Sequence, residues 1–132
     1  MNCIIYLVRT SNKDVEQFNE SLELLEKNLL NYTDSTDVLV FVEESFESYK
    51  SKVKTNLKLL YQIIEFDLPE YPPEILENIP EFYPHPTHGN GPIEWGHPGF
   101  TMGYRHMCRM FSGEVYKFPI VQEYEYYLRL DT

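Results

Sequence analysis

The chain has 132 residues, enough for one modest domain and too few for two well-packed ones. Hydrophobic residues make up 42% and charged residues 24%, a balance that excludes general disorder. A formal charge of −10 repels a phosphate backbone and so argues against nucleic acid as a partner; a phosphate-bearing ligand would need local cations or a divalent metal to offset that field. Cys3 and Cys108 are the only cysteines, too few and too far apart for a disulfide framework or a zinc site, and both read as buried free thiols. No apolar run reaches the roughly 18–20 residues of a membrane span. The opening Met1–Val8 lacks the basic start of a signal peptide, so the chain as written reads as soluble and unaddressed.

The first element is a short apolar run, Cys3 to Val8, bounded by Arg9-Thr10-Ser11-Asn12, and it reads as a buried strand. Val15, Phe18, Leu22, Leu25 and Leu29 follow at spacings of 3, 4, 3 and 4, which sets them on one face of a helix. Ser11 or Asn12 can cap that helix, and Asp14 is favourably placed near its positive end. Asp37 to Val42 is a second, almost wholly apolar strand. Phe46, Tyr49, Val53, Leu57 and Leu60 predict a second amphipathic helix, and Tyr61 to Phe66 a third strand. Residues 1–66 thus read as a βαβαβ core of a mostly parallel α/β sheet flanked by helices.

Residues 67–99 differ in kind. Eight of the nine prolines fall there, so the stretch reads as a long loop, apart from one short helix at residues 73–78. A loop of that length is either a binding loop or a plain connector. Helical character returns from Phe100 to Phe111, with Met107, Cys108 and Phe111 on one side, and Ser112-Gly113 ends it. Pro119-Ile120-Val121 begins a further turn, and Tyr126 to Leu130 forms a last strand with Asp131 at its carboxyl end.

Ligands of open α/β sheets bind beyond the carboxyl ends of the strands. Arg9, the Glu43-Glu44 pair and Asp131 fall there. A guanidinium in the first loop suits a diphosphate, since its fork gives two parallel hydrogen bonds, but it also suits an ordinary surface. Glu43 and Glu44 read as a solvated strand end. Asp131 is either simply exposed or an oxygen ligand for Mg²⁺ or Mn²⁺, which take one or two carboxylates beside substrate phosphates. His85 and His88 lack the further ligands of a zinc pattern. Cys108 and His106 lie two apart on a helix and point apart, which rules out a nucleophile and base pair. The 11 tyrosines and 8 phenylalanines suit either sugar stacking or a core.

Tyr104-Arg105-His106-Met107-Cys108-Arg109, then Ser112-Gly113, Pro119 and Tyr124-Glu125-Tyr126-Tyr127-Leu128-Arg129-Leu130-Asp131, resemble a block of the fungal α-1,2-mannosyltransferases, glycosyltransferase family 15. That family carries Tyr-Arg-His-Met-Cys-Arg, then Ser-Gly, and later Tyr-Trp-Arg-Val-Glu-Pro-Asp. Leu7-Val8-Arg9 and Phe66 to Pro72 add looser, collinear likeness, so the resemblance spans nearly the whole chain. It implies part of a single GT-A-like domain over residues 1–132, with residues 100–132 giving the motif helix and the metal-site strand. It also implies a GDP-mannose donor, Mn²⁺, a mannoside or other glycan acceptor, and transfer with retention in protein glycosylation.

Carried over residue by residue, Arg9 and Tyr104 match donor-site positions, and Asp131 matches the first acid of the metal motif. Asp-Thr stands here for the family's Glu-Pro. The second acid and the catalytic residues are expected beyond Thr132, as are the anchor and stem of Golgi family members before Met1. The resemblance therefore predicts an incomplete, inactive fragment with exposed sheet prone to self-association. The alternative is a non-catalytic domain that binds a nucleotide or a protein.

Overall fold

The computed structural model describes residues 1–29, 35–66, 82–83 and 100–132, with side chains excepted at 82–83 and 100–105. The chain forms two compact units, one of residues 1–65 with 118–132 and the other of residues 66–117.

The first unit is built on four parallel strands: β1 (Asn2–Leu7), β2 (Thr36–Val42), β3 (Leu59–Ile63) and β6 (Tyr126–Arg129), in the order β3-β2-β1-β6. Ile4 lies opposite both Val38 and Leu128, which makes β1 an interior strand. Its sequence is apolar on both faces for that reason. Ile4, Tyr6 and Val8 point one way with Val38, Val40 and Val42, and onto them helix α1 (Asn12–Asn28) lays Val15, Phe18, Leu22 and Leu25. Tyr6 and Phe18 meet edge to face at 5.1 Å, and the Tyr6 hydroxyl finds Ser21 Oγ at 2.9 Å. The ring is buried and its polar tip is satisfied. On the opposite face Cys3, Ile5, Leu39 and Phe41 are also buried. Phe118 meets Phe41 there at 5.1 Å, at the entry to the short helix α3 (Pro119–Gln122), whose Pro119 opens the first turn.

Ser11 is the N-cap of α1, its Oγ accepting the Asp14 N–H at 3.1 Å. Leu29 departs from the expected stripe. It is the C-cap residue, outside the helix, and partly exposed, because the helix ends one residue before the fifth apolar position.

The predicted second helix is not an α-helix. Glu44–Lys52 forms a 3₁₀ segment, and the chain then continues through a bend at residues 56–57 until β3 takes up Leu59 and Leu60. Phe46 is buried, while Tyr49, Val53 and Leu57 pack partly buried against the same core. Apolar residues spaced three or four apart satisfy a core equally well from a tight helix followed by irregular chain. Asn19 of α1 fixes that course, donating to Lys52 O at 3.0 Å and accepting the Lys54 N–H at 2.7 Å. The third strand accordingly starts two residues earlier than Tyr61 and ends at Ile63.

The second unit contains a two-stranded antiparallel pair, β4 (Phe82–Tyr83) with β5 (Phe100–Thr101), and helix α2 (Met102–Ser112). The remainder of the proline-rich stretch, including the short helix expected at residues 73–78 and His85, His88 and His97, lies outside the described residues. Gly113 follows α2, its N–H donating to Met110 O, and the chain continues into a 3₁₀ turn, Glu114–Lys117, where Arg109 Nε reaches Glu114 Oε1 at 3.0 Å. Met110 and Val115 are buried, while Cys108 is exposed, which corrects the expectation of a buried thiol. Two helical residues turn through about 200°, so Cys108 faces away from Met110.

Candidate functional site

All four strands of the main sheet run the same way, so their carboxyl ends share one edge. From β1 the chain moves out to β2 and then β3, and it returns on the other side of β1 as β6. The strand order therefore reverses between β1 and β6. In open α/β sheets the crevice at such a reversal is where ligands are held, because the loops from the two strands diverge there. The two loops at this reversal carry Arg9 and Asp131.

The register sets their relation. Ile5 lies opposite Arg129, and the Leu130 N–H donates to Ile5 O at 3.0 Å. Continuing that pairing sets Asp131 beside Leu7, two residues and about 7 Å of strand rise short of Arg9. Strand adjacency thus brings the two backbone segments together, although 122 positions separate them in sequence. Their side chains take different partners. The Arg9 guanidinium lies on Asp14, Nε at 3.2 Å and Nη2 at 3.1 Å from Oδ1. Asp131 Oδ1 accepts from Arg129 Nε at 3.1 Å and Nη2 at 2.7 Å. Arg9 is 70% exposed and Asp131 73%, so both remain open to a ligand from solvent.

Asp14 is the feature of this edge that periodicity did not flag. Its carboxylate, only 12% exposed, takes the Arg9 fork on Oδ1 and the Ser11 hydroxyl on Oδ2. A Ser-x-x-Asp pattern at a helix start, with an arginine just before it, is the signal that marks such a cluster. Nearby, the Thr10 and Ser45 hydroxyls meet at 2.8 Å and join the loops after β1 and β2. Lys52 Nζ reaches Asn12 Oδ1 at 2.8 Å, a second tie across the same edge. Glu43 and Glu44 are exposed, as a solvated strand end should be.

Tyr104 belongs to α2, in the second unit, and its side chain lies outside the described residues. In the same helix His106 stacks on Phe66, centroids 5.2 Å apart and planes 20° apart.

A divalent cation of the Mg²⁺ or Mn²⁺ type wants oxygen ligands and keeps several waters beside one or two carboxylates. Asp131 suits one such position, being an exposed carboxylate whose Oδ2 has none of the Arg129 bonds. Among the described residues no three His, Cys, Asp or Glu side chains gather to make a fuller cage. Any ion here would draw the rest of its shell from phosphate oxygens and water.

Comparison with known proteins supplies the relationship. An O-glycoside alpha-1,2-mannosyltransferase, omh1, of Schizosaccharomyces pombe is 61% identical over 28 residues, 21% of this chain and 7% of that protein. The probable mannosyltransferase MNT3 of Candida albicans is 48% identical over 33 residues, 25% of this chain and 9% of that protein. The probable mannosyltransferase KTR5 of Saccharomyces cerevisiae is 24% identical over 131 residues, 96% of this chain but 24% of that protein. The chain thus spans about a quarter of the length of the relative that it matches almost throughout. No solved structure matches it. The family model described as glycolipid 2-alpha-mannosyltransferase matches residues 1–132, and the chain belongs to that family, as the motif block implied.

Proposed function

We propose that this chain is the donor-binding part of a mannosyltransferase that takes mannose from GDP-mannose and passes it, with retention, to a mannoside or other glycan acceptor in protein glycosylation. The observation that carries the reading is the reversal of strand order between β1 and β6, with Arg9 and Asp131 on the two loops that flank it. Membership of a family with mannosyltransferase relatives supports the sugar. Arg9 offers the free edge of its guanidinium to the diphosphate, an interaction of two charge-assisted hydrogen bonds. Tyr104 is a donor-site candidate by the family resemblance alone. Asp131 would hold a divalent cation, Mn²⁺ in this reading, which supplies neutralisation of the departing nucleoside diphosphate when bound. The attack itself is assigned to no residue of this chain. Tyr126 and Leu128, large and exposed on β6, favour self-association through that strand.

Titration calorimetry with GDP, with and without Mn²⁺, tests the reading. Micromolar binding that needs the metal, weakened about tenfold or more by Arg9→Ala and reduced by Asp131→Ala to the level seen without Mn²⁺, is the expected result. Failure of Arg9→Ala to weaken the complex would overturn it. The Arg129 fork on Asp131 favours a second reading, nucleotide binding with no metal and no catalysis. Affinity indifferent to a chelator would select that one.

A further inference from the structure

We infer that Asp14 is a positioning residue for anion binding, one that locks the Arg9 guanidinium so that its outer edge stays aimed into the open crevice. The inference rests on the reading of Arg9 as a donor-site residue and adds to it a residue and a mechanism. A guanidinium has two hydrogen-bonding edges of use to an oxyanion: the Nε–Nη2 side and the Nη1–Nη2 end. Asp14 Oδ1 takes the first, at 3.2 and 3.1 Å. That leaves the end for a ligand, on a side chain still 70% exposed.

Asp14 is itself held on every side that counts. Its backbone sits in the first turn of a 17-residue helix, its N–H donates to Ser11 Oγ, and its Oδ2 accepts the Ser11 hydroxyl. It is 9% exposed as a residue, and Val15 beside it is buried against the sheet. The anchor cannot swing, so the arginine clamped to it loses most of its rotamer freedom before a ligand arrives. An exposed arginine left unclamped would have to be immobilised at the moment of binding.

Charge alone argues the other way, since a carboxylate beside the site repels an anion. Two features turn the balance. Asp14 lies in the first turn of α1, where the partial positive charge of the helix end offsets part of its own. Asp14 also lies on the inner side of the pair, so an approaching anion meets the positive end first. Ordering therefore outweighs repulsion, and removal of Asp14 should weaken anion binding rather than strengthen it.

A double-mutant cycle on the full chain decides the matter, with GDP as the probe and calorimetry as the readout. Asp14→Ala should weaken GDP about three- to tenfold when Arg9 is present and have no further effect in the Arg9→Ala background. Ser11→Ala, which loosens Asp14 but keeps the fork on Arg9, should weaken GDP less than Asp14→Ala does, and only when Arg9 is present. Equal loss in both Arg9 backgrounds, equal loss from Ser11→Ala, or a gain of affinity in Asp14→Ala each overturns the inference while leaving Arg9 a donor residue. A chain that binds no GDP, or binds it as well after Arg9→Ala, overturns the donor reading and the inference with it. Should Asp14→Ala not fold, the Arg9 Nε–H of the unaltered chain reports the lock by nuclear magnetic resonance. A slowly exchanging signal with a positive heteronuclear Overhauser effect is expected; a fast-exchanging, mobile one overturns the inference.

Discussion

Asp37 and Tyr124 show how a single polar pair is used inside this sheet. Asp37 opens the apolar stretch of β2, and the Tyr124 hydroxyl donates to its Oδ2 at 2.6 Å across 87 positions of sequence. Partial burial and the Asp37 carboxylate hold the Tyr124 phenol well above its ordinary value, and burial followed by the same carboxylate pushes the Cys3 thiol up to about 11. Removing the hydroxyl leaves Asp37 with a lost partner, so Tyr124→Phe should cost about 1–2 kcal/mol in urea unfolding. The pH dependence has a definite sign. Both groups keep their protons longer in the folded chain than in the unfolded one, so their contribution is intact below about pH 9. The thiol's share is lost as pH rises from its ordinary value of 9.0 towards 11, and the phenol's as pH rises above its ordinary 10.0, because the unfolded chain ionises first. Midpoints of urea unfolding at pH 8, 9.5 and 10.5 should fall steadily, and Cys3→Ala should flatten the early part of that decline. A flat profile in the unaltered chain would contradict the burial of these groups.

Helix α1 owes its stability to one stripe, whereas β1 and β2 are buried on both faces. In α1, Phe18 and Leu22 are fully buried while Leu24 is exposed in the same helix. Phe18→Ala should therefore cost about 3–5 kcal/mol, whereas Leu24→Ala should stay within about 0.5 kcal/mol, both read from chemical denaturation. The cap belongs to the same account, and Ser11→Ala should cost about 1 kcal/mol. Helix α1 was legible in sequence because the first four residues of its stripe, its cap and its acidic first turn all agree. The 3₁₀ segment was not. Phe46, Tyr49, Val53 and Leu57 carry helical spacing, yet Asn19 of α1 captures the backbone at Lys52 and Lys54 where the 3₁₀ segment ends. That tie spans more than 30 positions, and local periodicity has no access to it.

At the scale of the molecule the edge strands decide behaviour. Among the described residues β6 pairs with β1 alone, and it carries Tyr126 at 72% exposure and Leu128 at 47%. An edge with large apolar side chains is a template for a further strand. Sedimentation of the chain at tens of micromolar should give a mass above its 15.7 kDa, and Leu128→Lys should return the monomer. A monomeric unaltered chain would refute association through this edge.

Local pattern was enough for the α/β class, the first strand and helix, the second strand, the motif helix with its Gly113 ending, and the strand that leads to Asp131, because each is written in the spacing of neighbouring residues. The motif block gave the family, since a run of specific residues needs no fold to be read. Tertiary structure decided that β6 returns beside β1, which makes neighbours of the Arg9 and Asp131 loops. It also decided that Asp14 faces Arg9, that Cys108 faces outward and that Tyr124 closes on Asp37. Strand order and side-chain pairing across a sheet depend on which long-range closures bury the most apolar surface together, a choice made by the whole chain at once.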